Sequence, residues 1–282
     1  MILLKNGLVR PVSAAPFAGD VLIAGGKIAA LGPGLEAPGA ECIDVSGCTV
    51  TPGIIDAHCH IGMWEDGMGD EGADGNECSD PVTPEMQAID GLNPFDPCFA
   101  EARAAGVTTV VTGPGSANVI GGQFAALRTA GGSVEEMLLR FPVAMKAALG
   151  ENPKRVYADQ KASPYTRMAI AALFRKAMRD AQEYAAALEE AKADPSKKPD
   201  LDLGLESLLP VLRGELPLKV HAHRADDILT ALRLAKEFHL RISLEHCTEG
   251  HLAPELLAAE GYPMAVGPSL THASKFELRN KT

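Results

Sequence analysis

From Pro52 onward the chain alternates short apolar runs with longer amphipathic stretches, and this order limits the fold more than any other feature. The strand candidates are Ile54–His60, Val107–Thr112, a weaker Gln123–Leu127, Pro142–Leu149, Leu216–His223, Leu240–His246 and Pro263–Gly267. Helical periodicity falls between them, at Pro97–Ala105, Ser133–Arg140, Ser207–Arg213, Ala225–His239 and Ala253–Glu260, with a longer stretch over Pro164–Ala193. Such alternation predicts an α/β fold in which crossover helices join the strands of a parallel sheet. Seven units predict a TIM (β/α)8-type barrel that is incomplete, with strand eight missing, and KFELRNKT at the chain end reads as the helix after strand seven.

Residues 1–52 follow a different rule. ILL, VLIAGGKIAAL, ECIDV and CTV read as short strands, and Gly25-Gly26 is a two-residue hairpin signal. They predict a small β module over 1–52, leaving 53–282 for the barrel. A barrel typically takes about 250 residues without insertions, so this one is about one βα unit short.

Charge narrows the partners. The net charge is -11, which argues against nucleic acid or an anionic membrane, because both need an excess of Lys and Arg. Ten of the acidic residues lie between Ile61 and Asp96, where there is no Lys or Arg. That stretch is rich in Gly and Pro and shows no period, so it reads as a long loop. It is either a solvated acidic flap or a device for substrate or metal capture. No apolar run is long enough for a signal peptide or a spanning helix. The six cysteines form no CxxC pair, as expected for free thiols in a cytoplasmic protein.

Five of the eight histidines stand at three strand ends: His58 and His60, His221 and His223, and His246. Residues two apart on a strand share a face, and catalytic groups of a barrel sit at the C-terminal ends of its strands. The five imidazoles therefore converge on one mouth, where they suit a divalent ion such as Zn2+. His223 is also open to a substrate-side role, with Arg224 beside it. His239, His251 and His272 read as surface residues. Lys146 lies within the apolar PVAMKAALG. A buried ammonium is costly without a partner. Either it becomes a neutral amine able to form a carbamate with CO2, or it reaches solvent or pairs with a carboxylate such as Glu151. Asp226 and Asp227 read as first-turn helix residues, and Glu245 should alternate away from His246.

TPGIIDAHCH after the β module, HAHR on a later strand and SLEHCTEGH on the next resemble the amidohydrolase superfamily, in order along the whole chain. GVTTVVTGPGSANVIGGQ, KAALGENPKRVY and VHAHRADDILTALRLA are similar to imidazolonepropionase-like members. The resemblance implies a TIM barrel with a small N-terminal β-sandwich module, completed in the family from both chain ends, and one or two divalent metals, foremost Zn2+. His58 and His60 would hold the first, carbamylated Lys146 would bridge, and His221 and His246 would hold the second. It implies hydrolysis of a carbon–nitrogen bond in a small amide or cyclic amide by metal-activated water. In that family an Asp at the end of strand eight shuttles the proton. The chain stops before that position, so the catalytic acid is unassigned and the resemblance implies a C-terminally truncated enzyme that binds metal weakly and turns over little alone. Two other functions stay open: an inactive metal-binding barrel fragment, and a deaminase of an amino-heterocycle. A homo-oligomer is also open. The glycines between Gly113 and Gly122 lack the spacing of a phosphate loop.

Overall fold

A computed structural model describes residues 1–270 and 272–281; Thr282, on which the expected chain end turns, lies outside them. The chain divides into two compact units, Met1–Ile54 and Ile55–Thr282. The first is a five-stranded sheet of β1 (Ile2–Val9), β2 (Phe17–Ala24), β3 (Lys27–Gly32), β4 (Glu41–Asp44) and β5 (Thr49–Val50). β1 pairs antiparallel with β2, while β4 and β5 run parallel to β1. The β2–β3 hairpin turns on Gly25 and Gly26, both with positive φ. A two-residue hairpin loop needs that conformation, and glycine adopts it without penalty.

The second unit holds β6 (Ile54–Cys59), α1 (Ala88–Gly91), α2 (Pro97–Ala104), β7 (Val107–Thr112), β8 (Ile120–Arg128), α3 (Val134–Met137) and β9 (Leu138–Ala148). There follow α4 (Glu151–Asp159), α5 (Arg167–Ala193), α6 (Leu203–Leu212), β10 (Leu218–Ala222), α7 (Ala225–Phe238), β11 (Ile242–His246), α8 (Pro254–Glu260) and β12 (Met264–Val266). Seven strands form one sheet in the order β12-β11-β10-β9-β8-β7-β6. In a flat sheet β6 and β11 would lie roughly 24 Å apart, at ~4.8 Å per strand. Here the His58 ring on β6 is 5.4 Å from the His246 ring on β11. The sheet therefore curls until its edges nearly meet, like a barrel wall.

The expected all-parallel order fails in one place. β9, β10, β11 and β12 are parallel, but β8 runs antiparallel to both β7 and β9. A parallel connection needs a crossover of a dozen or more residues. Residues 113–119 and 129–137 are too few for one. The predicted helix Ser133–Arg140 accordingly shrinks to the single turn of α3, and Leu138 already begins β9. The predicted terminal helix is also absent: a single 3-10 turn occupies Phe276–Leu278. Two helices the periodicity does not reveal are α1, a single turn inside the acidic stretch, and α4, which follows β9 directly.

The core lies between the parallel strands and α5, α6 and α7. Met145 and Ala147, Leu218 and Val220, and Ile242 and Leu244 face it, against Phe174, Met178, Leu232 and Phe238. Alternation sends the intervening residues to the sheet's inner face. There the register sets Lys219 beside both Lys146 and Ser243, and His221 beside both Ala148 and Glu245. Polar groups are thus layered inside the curl, with the histidines towards the C-terminal ends of the strands. Among the described residues no helix is long and apolar enough to cross a membrane.

Candidate metal centre

His58 lies at the end of β6 and His60 one step beyond it; His221 is on β10, His223 just past it, and His246 closes β11. Their rings form a continuous cluster. His58 and His60 have centroids 5.1 Å apart, and His221, His223 and His246 are mutually 4.6 Å apart. One nitrogen from each of His221, His223 and His246 lies within 4.8 Å of the others, a grouping able to hold a metal ion. His223, set apart in the sequence reading as a substrate-side group, is thus beside His221 and His246. Arg224 is engaged by Asp226 in a two-pronged ion pair. His239, His251 and His272 take no part in this grouping.

Hydrogen bonds orient the rings. His60 Nδ1 lies 2.7 Å from the Gly113 carbonyl and His246 Nδ1 2.8 Å from that of Gly267. A carbonyl only accepts, so each Nδ1 carries the proton and each Nε2 keeps its lone pair for a ligand. His223 Nδ1 meets the Thr248 hydroxyl at 2.7 Å. Burial, reinforced by the Lys146 ammonium, pushes His60 and His246 down to about 4. Burial likewise holds His58, His221 and His223 well below the usual imidazole range. All five are neutral at pH 7, the state in which imidazole coordinates metal.

Lys146 is fully buried and its Nζ has no hydrogen-bond partner. It neither reaches solvent nor pairs with Glu151, which bonds the Glu277 backbone instead. Burial pushes its ammonium down to about 7, against the attraction of Glu245 and with help from Lys219 and Lys275. Both ring nitrogens of His58 are also buried without a hydrogen-bond partner. Unsatisfied buried groups cost about 1–3 kcal/mol each, so their collection around one point is the mark of a site built for a further group. The donor set, neutral imidazoles with a lysine able to lose its proton, fits a divalent ion.

Two carboxylates that sequence reasoning did not promote belong here. Glu245 does not turn away. Its Oε1 accepts from Lys219 Nζ at 2.8 Å and from Ser243 Oγ at 2.5 Å, while Oε2 lies 3.3 Å from His58 Nδ1. Both Glu245 and His246 reach the centre because His246 has φ +74°, which breaks strand alternation at that residue. Glu277 is fully buried, with Oε1 at 3.4 Å from His221 Nε2 and 3.6 Å from His223 Nε2. Nothing in KFELRNKT signals this, since the histidines it meets, His221 and His223, are more than fifty residues away. The acidic loop reaches the centre through Trp64, whose ring meets His60 edge-on at 5.3 Å. A Cβ on Gly75 would fall 2.1 Å from that ring, so glycine leaves the space it occupies. Several of the loop's acids serve its own folding: Asp96 accepts from the Gly62 and Cys98 amides, and Glu65 from Asn93.

No family model matches the chain. Over its whole length it superposes on a crystal structure of an amidohydrolase from Thermotoga maritima MSB8, with TM-score 0.95, 44% identity and 74% of that chain covered. It is 33% identical over 263 residues to "Amidohydrolase tasK" of Hapsidospora irregularis, which covers 85% of this chain and 27% of that protein. A shorter segment of 61 residues, 22% of this chain, is 48% identical to 13% of the D-hydantoinase of Geobacillus stearothermophilus. The curled sheet defines an α/β chain with barrel-like curvature, and the likeness to the Thermotoga amidohydrolase shows that it belongs to the amidohydrolase superfamily. The chain spans about a quarter of the curated relative that it matches over most of its own length.

Proposed function

We propose that this chain forms the metal-dependent centre of a hydrolase acting on carbon–nitrogen bonds in small amides or cyclic amides. The observation that carries the reading is the set of five adjoining neutral imidazoles, each within electrostatic reach of a fully buried Lys146 that has no hydrogen-bond partner. His58, His60, Lys146, His221 and His246 would hold one or two divalent ions, with Zn2+ favoured by imidazole donors. When bound, such an ion supplies a Lewis acid that brings the pKa of water towards 7 and polarises a carbonyl. Lys146 is placed to lose its ammonium proton; the neutral amine nitrogen then bonds to the carbon of CO2, one C=O electron pair moves onto oxygen, and a second proton leaves the nitrogen. The carbamate so formed would add negative charge among uncharged imidazoles.

The remaining groups orient and exclude water. Phe124 stacks on His58 at 5.6 Å, and Trp64 walls off His60. His223 and Arg224 would face the substrate. Likeness to a protein named D-hydantoinase supports a ring amide as the substrate class. We read the curled sheet of 53–282 as the wall of a TIM-type barrel and 1–52 as an accompanying β module. Metal analysis with an assay on hydantoins, imides and dipeptides tests the proposal. Bound metal with chelator-sensitive hydrolysis is expected. Bound metal without turnover would make the chain a binding scaffold, and ammonia release from an amino-heterocycle would make it a deaminase.

A further inference from the structure

We propose that Glu277 is a metal ligand, an anionic donor standing beside His221. This rests on the reading of the cluster as a metal centre. Donors about 2.1 Å from a tetrahedral ion stand about 3.4 Å from one another. Glu277 Oε1 keeps that spacing, 3.4 Å from His221 Nε2 and 3.6 Å from His223 Nε2. Both distances exceed those of a well-formed hydrogen bond, 2.7–3.2 Å, so an imidazole–carboxylate hydrogen bond explains them poorly.

The carboxylate is also built into place. Its Oε2 accepts from the Glu151 amide at 3.1 Å, and Glu151 Oε2 accepts in return from the Glu277 amide at 2.9 Å. Gly150 precedes this pair, and a Cβ there would lie 3.1 Å from Glu277 Oε2. Lys275 Nζ lies 2.6 Å from Oε1 and donates to Asn152 Oδ1 at 3.1 Å, so it has an alternative acceptor when Oε1 is taken. A carboxylate beside neutral imidazoles adds a negative charge that favours a dication.

The test is Zn2+ affinity, by competition with a chromophoric chelator, for the full chain and its Glu277→Gln and Lys275→Met variants, with Co2+ absorption reporting the coordination sphere. Glu277→Gln should bind about 100-fold more weakly and change the Co2+ spectrum. Lys275→Met, which frees Oε1 and removes a repelling charge, should bind about 10-fold more tightly. Unchanged affinity and spectrum in Glu277→Gln would overturn the assignment while leaving the metal reading intact. Absence of metal binding by the unaltered chain would overturn both. If Glu277→Gln does not fold, Lys275→Met decides: tighter binding supports the assignment, and equal or weaker binding defeats it.

Discussion

The two sides of the histidine cluster are built differently. On one, His221, His223 and His246 keep three ligand nitrogens within 4.8 Å, with His246 braced by Gly267 and His223 by Thr248. On the other, both nitrogens of His58 and the Lys146 ammonium are buried without a hydrogen-bond partner. The first side holds its geometry through protein contacts. The second bears a cost that protein groups do not offset. The fold follows the same division: the braced histidines stand on the parallel strands β10 and β11, while the unpartnered groups face β8, which breaks the parallel order. The contrast teaches that one side is organised by the protein alone, while the other leaves buried groups that a bound ion would satisfy.

The largest test is loading the centre. Saturating Zn2+ at about a thousand times its Kd should stabilise the chain by about 4 kcal/mol. Thermal melts with Zn2+ and with chelator would measure this, and equal melts would end the contrast. Next comes Glu245→Gln, which keeps a side chain for Ser243 but leaves Lys219 buried without its counter-charge. A loss of about 3 kcal/mol in denaturant unfolding is expected.

Lys146→Met acts with the opposite sign. It removes an unpaired buried ammonium, so the metal-free chain should gain about 2 kcal/mol while losing metal affinity. Acid unfolding probes the same cost. His60 and His246 are held at about 4 in the folded chain and rise to about 6.5 when unfolded. The unfolded state binds more protons between those values, so metal-free stability should fall as pH drops from 6.5 to 4. Lys146, about 7 when folded and about 10.4 unfolded, adds a second rise in stability between pH 7 and 10. In the Met variant that upper rise should vanish and the lower one remain. The smallest effect is that of Gly75→Ala, whose new methyl collides with Trp64. Trp64 is the sole tryptophan, so its fluorescence should shift, with a stability loss of about 1 kcal/mol.

Much of the site was legible from spacing. A side-chain period of two gave His58 with His60 and His221 with His223, and the alternation of apolar and polar residues on β9, β10 and β11 separated core from inner face. Glu245 departs from the expected alternation because its neighbour His246 leaves the extended conformation, which no local pattern announces. β8 was found as a weak strand, but its direction depended on the lengths of its connections. Glu277 was invisible because its meaning arises from Glu151, His221 and His223.

By itself, then, the sequence determined an α/β order of elements, five histidines at strand ends and a lysine embedded in apolar residues, because these are local consequences of periodicity and composition. Only the tertiary structure decided which of them meet. The curl of the sheet brings β6 against β11, and the turn at Phe276–Leu278 carries Glu277 to the imidazoles. Both depend on contacts between residues far apart in the chain, which spacing along it does not encode.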